Sequence, residues 1–127
     1  MKRVRILVID DDWSEAVDIL EGLKKCFPDN EIDSAYFKAD ALKFLRNKEY
    51  DLITLDGKLD GDNHGREVLA RMSLEQVTKT IIYSNDGDFL YECSEKGIET
   101  FLKSARFSKV VEYSVLIKNL LGNNRKE

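Results

Sequence analysis

The run Val4-Arg-Ile-Leu-Val-Ile9, closed by Asp10-Asp11-Asp12, is short, mostly β-branched and apolar. An apolar run of that length stopped by acids reads as a buried strand with carboxylates at its carboxyl end. Just beyond it, Ser14 reads as a helix N-cap. Ala16, Val17, Ile19, Leu20, Leu23 and Phe27 then step by threes and fours, the spacing of an amphipathic helix, until Pro28-Asp-Asn30 breaks it.

The same alternation continues along the chain. Residues 31–37 read as a second strand. Residues 39–47 read as a helix with Ala39, Leu42, Phe44 and Leu45 inward. Leu52–Leu55 is a third strand ending in Asp56, and 57–65 is loop by its Gly and Asp content. Val68, Leu69 and Met72 mark a helix, and 80–83 a fourth strand. Residues 84–87 form a turn and 88–96 a short helix stopped by Gly97. A fifth strand at 100–102 precedes a last helix over 108–121. Strands that alternate with helices and are apolar on both faces imply a parallel sheet covered on both sides.

Length and composition bound the rest. The 127 residues suffice for one domain, expected over 1–122, with 123–127 a polar tail. Twenty Lys and Arg against 24 Asp and Glu leave a net charge of −4, which disfavours a broad nucleic-acid interface. No apolar run reaches the roughly 20 residues of a membrane span, and no secretory leader is visible. Cys26 and Cys93 make no disulfide framework, and one His with two Cys argues against zinc. The expectation is a cytoplasmic protein that binds neither membrane nor nucleic acid.

In such sheets ligands gather beyond the carboxyl ends of the strands. Those ends carry Asp10, Asp11 and Asp12, then Asp56, Ser84 and Lys103. Clustered carboxylates repel, and oxygen-only ligands suit Mg2+. A lysine and a hydroxyl beside them suit the oxygens of a phosphoryl group, whose transfer depends on positioning and charge neutralisation. The more ordinary readings are that Asp12 is a helix-leading acid, that Asp60 and Asp62 form turns, that His64 is solvated, and that Cys26 and Cys93 pack.

Five segments, in order, resemble the receiver domain of the bacterial two-component response-regulator family: Ile6-Leu-Val-Ile-Asp-Asp11; Asp51-Leu-Ile-Thr-Leu-Asp56 with Leu59; Gly65-Arg-Glu-Val-Leu69; Ile81-Ile-Tyr-Ser84; and Phe101-Leu-Lys103. The resemblance implies a flavodoxin-like (βα)5 sandwich with strand order 2-1-3-4-5. It implies Asp56 as phosphoacceptor and Mg2+ held by Asp11 directly, by Asp10 mainly through water, by Asp56 and by the Lys58 carbonyl. Ser84 would bond a phosphoryl oxygen, Phe101 would be the aromatic switch, and Lys103 the pairing lysine. The implied partners are a histidine kinase or phosphotransfer protein and a downstream protein target. A homodimer could form through the face made by the helix at 88–96, the strand at 100–102 and the last helix.

The sequence also departs from the family pattern. Asn85 stands where a small residue is usual, the loop after Asp56 lacks its Pro near Asp60, and Ser104 replaces the Pro after the lysine. Phe101 and Lys103 are two apart rather than three, so either Lys103 or Ser104 faces the site. The helix at 88–96 is about a turn short. These departures keep open a degenerate receiver that binds a partner without phosphate chemistry. A haloacid-dehalogenase-type phosphatase with Asp10 as nucleophile is a further alternative, but it leaves Asp56 without a role and lacks an acidic pair after Lys103. A Lys58–Asp86 ion pair over the site is also expected from their matching offsets from Asp56 and Ser84.

Overall fold

The computed structural model describes residues 4–26, 28–59 and 64–102. Lys103, Ser104, Asp60, Asp62 and the expected helix over 108–121 lie outside the described residues. Five strands, β1 (Val4–Ile9), β2 (Asn30–Ala35), β3 (Leu52–Leu55), β4 (Thr80–Ser84) and β5 (Glu99–Leu102), form one sheet in the order β2-β1-β3-β4-β5. Every neighbouring pair is parallel. The helices are α1 (Trp13–Cys26), α2 (Lys38–Asn47), α3 (His64–Ala70), α4 (Leu74–Thr78) and α5 (Gly87–Glu95). This is the expected flavodoxin-like architecture. No helix among the described residues is long and apolar enough to cross a membrane.

Strand alternation sorts the core into two layers. Leu7, Ile9, Ile53, Leu55 and Ile82 face one side, where they pack with Ala41 and Leu45 of α2, Val68 of α3, and Phe89 and Cys93 of α5. Val4, Ile6, Val8, Leu52, Ile81 and Tyr83 face the other and meet Leu23 of α1. The middle strands β1, β3 and β4 are almost wholly buried, whereas β2 and β5 are half-covered.

Several expectations shift. α1 begins at Trp13, so Ser14 lies inside its first turn and is not the N-cap. β2 ends at Ala35, and Phe37 is exposed just before α2. Ala41 and Leu45, rather than Ala39, form the buried stripe of α2. The loop after Asp56 is shorter than its composition suggests, because His64 and Gly65 already belong to α3. The helix expected around 68–72 is two helices. Ser73 restarts the chain through a capping box: its hydroxyl accepts from the Gln76 amide at 3.1 Å while the Gln76 side chain accepts from the Ser73 amide at 3.0 Å.

Candidate functional site

Register brings the acids together. β1 and β3 pair with Ile9 opposite Leu55, so the residues that follow them, Asp10 and Asp56, emerge side by side. The Asp56 amide donates to the Ile9 carbonyl at 2.9 Å, and the Asp10 amide to the Ala35 carbonyl at 3.0 Å, which fixes both backbones. One carboxylate oxygen from each of Asp10, Asp11 and Asp56 lies within 4.8 Å of the others. Asp10 is 1% and Asp56 5% exposed, and Asp11 is half-buried. Asp12 is exposed and outside this set; its amide donates to Asp10 Oδ1 at 2.9 Å.

Three oxygen donors so close, two of them buried, fit a hard divalent cation. Such an ion takes carboxylate oxygens and keeps several waters, and it would cancel two of the three charges. The Lys58 amide donates to Asp56 Oδ1 at 3.2 Å, turning the chain sharply after the acid, while the Lys58 side chain stays exposed.

Ser84 closes β4, one strand over from β3, and is 1% exposed. Its hydroxyl accepts from the Asp86 amide at 3.0 Å. Asp86 in turn caps α5, accepting from the amides of Asp88 at 3.1 Å and Phe89 at 3.2 Å. The expected Lys58–Asp86 ion pair does not form among the described residues; the Asp86 carboxylate is committed to the helix end, where a negative charge is favoured. Phe101 lies beside Tyr83 in register, with ring centroids 5.6 Å apart and planes tilted by 43°.

His64 is not a solvated loop residue. It opens α3 half-buried, and its Nδ1 meets Glu67 Oε2, which also accepts from Lys38 Nζ at 3.1 Å. The His64 hydrogen bond, then that of Lys38, holds the Glu67 carboxyl below its usual range. Cys93 is buried in the core, and burial pushes its thiol pKa up, so it packs as expected and is a poor nucleophile.

The sequence reading gave no role at the site to Phe89, Gly57 or Gly65, which gather around Asp56. A Cβ on Gly57 would lie 2.7 Å from Phe89 Cδ2 and 3.0 Å from Ser84 Oγ, and a Cβ on Gly65 would lie 2.3 Å from the Asp56 carbonyl oxygen. A glycine directly after a strand-end acid is the signal that could have found them, since it marks close approach of another element.

No protein-family model matches the sequence, and no curated protein matches it. The likeness is structural. A phosphorylated cyanobacterial phytochrome response regulator superimposes with a TM-score of 0.82 at 20% identity, covering 98% of each chain. The signal receiver domain of a putative LuxO repressor protein from Vibrio parahaemolyticus gives 0.71 at 25% identity, covering 97% of this chain and 95% of that one. The Mn2+-bound form of the response regulator Rcp1 gives 0.71 at 21% identity, covering 92% and 91%. Over nearly its whole length, the chain has the fold of a response-regulator receiver domain.

Proposed function

We propose that the chain is a receiver that accepts a phosphoryl group on Asp56 and signals through protein contacts. The observation that supports this best is the meeting of the Asp10, Asp11 and Asp56 carboxylates where β1 and β3 end. In this reading an Asp56 oxygen attacks the phosphorus of a phosphohistidine, on a histidine kinase or phosphotransfer protein, or of a small acyl phosphate. A phosphorus–oxygen bond to Asp56 forms as the bond to the leaving imidazole or carboxylate breaks, and that group departs with the electron pair. Asp10, Asp11, Asp56 and the Lys58 carbonyl would hold Mg2+, which when bound supplies positive charge facing the phosphoryl oxygens.

The chain's own groups do the rest. Ser84, whose oxygen accepts from the Asp86 amide, would donate its hydroxyl proton to a phosphoryl oxygen, and Lys103 would pair with another. The acyl phosphate adds about −1.5 to −2 charges at the end of the sheet. Phe101, packed on Tyr83, would follow the Ser84 loop and alter the face of α5 and β5, where exposed Tyr91 and Leu102 offer contact to a downstream target or a second copy. Self-catalysed phosphotransfer and dephosphorylation would be the only chemistry, in a cytoplasmic setting, with the functional unit at 1–122.

Intact mass after incubation with acetyl phosphate and Mg2+ tests the reading. The native chain should gain one phosphoryl group and the Asp56→Ala chain none. A native chain whose mass does not change overturns it.

A further inference from the structure

Gly57, the residue after Asp56, is held from two sides. From α3, the Gly65 amide donates to the Gly57 carbonyl at 3.1 Å, and a Cβ on Gly65 would lie 2.7 Å from the Gly57 Cα. From α5, Phe89 closes on it. A Cβ on Gly57 would sit 2.7 Å from Phe89 Cδ2, 3.0 Å from Cε2 and 3.0 Å from Ser84 Oγ, where ordinary contact begins at 3.4 Å. The ring thus stands in the volume that a side chain at 57 would fill.

Phe89 is itself fixed. It is 2% exposed, its amide is capped by Asp86 Oδ1 at 3.2 Å, and the Arg66 guanidinium lies over its ring at 4.9 Å. Arg66 of α3 also pairs with Glu92 of α5, tying the two helices together beside the ring. Since the Asp86 amide holds the Ser84 hydroxyl, a closed circuit runs from Ser84 through Asp86, Phe89 and Gly57 to Asp56.

We propose that Phe89 is a positioning residue for phosphotransfer to Asp56, acting through Gly57 and the Ser84 hydroxyl. This rests on the phosphoacceptor reading and adds to it a residue far along the chain. Burial in the core accounts for an apolar residue at 89. It does not account for a bare backbone at 57, which the ring edge does. Transfer of a phosphoryl group needs acceptor and hydroxyl placed together, and a displacement of about 1 Å can cost about 100-fold in rate. A methyl group at 57 forces the ring or the acceptor loop to yield by about 0.7 Å to regain ordinary contact.

The test compares rate constants for adduct formation with acetyl phosphate at saturating Mg2+, by time-resolved intact mass. The proteins are the native chain, Gly57→Ala, Phe89→Leu and the double variant. Gly57→Ala should slow the reaction about 10- to 100-fold and Phe89→Leu about 3- to 10-fold. The double variant should return to within about 3-fold of native, because leucine vacates the ring edge that the new methyl meets. The half-saturating Mg2+ concentration should stay within about 2-fold of native, and circular dichroism should show each variant folded.

Equal rate constants in all four proteins overturn the proposal, and so do single losses that simply multiply in the double variant. Should circular dichroism show Gly57→Ala unfolded, Phe89→Leu and Phe89→Met carry the comparison, and native rates in both overturn the proposal. A native chain that takes up no phosphoryl group overturns the phosphoacceptor reading and this proposal together. An active native chain with unaffected variants overturns only the role of Phe89.

Discussion

Asp56→Asn removes one charge from the acidic cluster and keeps the contact with the Lys58 amide, from which the Asn Oδ1 can still accept. Two unit charges 4.8 Å apart repel by about 3.5 kcal/mol at an effective dielectric of about 20, and Asp56 faces two partners at or inside that distance. Water around half-buried Asp11 screens its share. An ammonium from Lys103, as the resemblance implies, would offset one of the three charges and still leave two. A net gain of about 1–3 kcal/mol for the metal-free variant follows, or roughly 3–12 °C in Tm for a domain of this size. Mg2+ at 100 times its Kd should add about 2.7 kcal/mol to the native protein and far less to Asp56→Asn. Thermal unfolding by circular dichroism, with EDTA and then with saturating MgCl2, reads both quantities. A variant no more stable than native in EDTA, showing the same rise with Mg2+, would refute the idea that these acids form one repulsive cation site.

Three further outcomes follow from other parts of the structure. Tyr50 is buried and donates to Asp33 Oδ2 at 2.6 Å; burial, then the Asp33 hydrogen bond and charge, hold its phenol well above the usual value. A raised folded-state pKa means stability that is whole below about pH 10 and is lost as pH rises beyond it, so Tyr50→Phe should cost about 1–3 kcal/mol at neutral pH and flatten the alkaline fall seen in urea titrations. Ser73→Ala deletes the hydroxyl half of the α4 capping box and should cost about 0.5–2 kcal/mol by the same measurement. Cys93 should react with iodoacetamide at neutral pH only as fast as the protein opens, so its labelling should accelerate steeply near the urea midpoint.

The strands were the legible part of this molecule because three of the five are buried on both faces. β1 and β3 stand where their apolar runs begin and end, and β4 is longer than its run only by Ser84. β2 lies at an edge with half-covered residues, so its alternation was weak and its end was misplaced by two residues. The helix after Asp56 was harder still. Its first turn, His64 and Gly65, is built from residues that composition assigns to loop, and Gly65 is there because α3 touches the backbone of Asp56 and Gly57. α4 buries none of its residues, so it carries no apolar stripe to read; its local signal was the Ser73 and Gln76 pair.

The acids of the candidate site were readable for a different reason. Asp10 and Asp11 come straight after β1 and Asp56 straight after β3, so a correct strand order places them without any knowledge of side chains. What sequence order cannot supply is the packing of α5 against the loop that follows Asp56. Phe89 belongs to an apolar stripe and looks like any other core residue, and Gly57 looks like loop. Their connection exists only in three dimensions, between residues 32 positions apart. The same contact bears on the departure at Asn85. The receiver pattern has a small residue there to keep the loop close to the acceptor, but in this chain Asn85 is exposed and the bare backbone lies at 57 and 65. Close packing around Asp56 is therefore reached from α3 and α5, with Ser84 held to the α5 cap by Asp86. A substitution at 85 meets solvent, whereas one at 57, 65 or 89 meets Asp56 or its immediate neighbours. The residues on which this site depends are for that reason not the ones by which its sequence departs most visibly from the pattern it resembles.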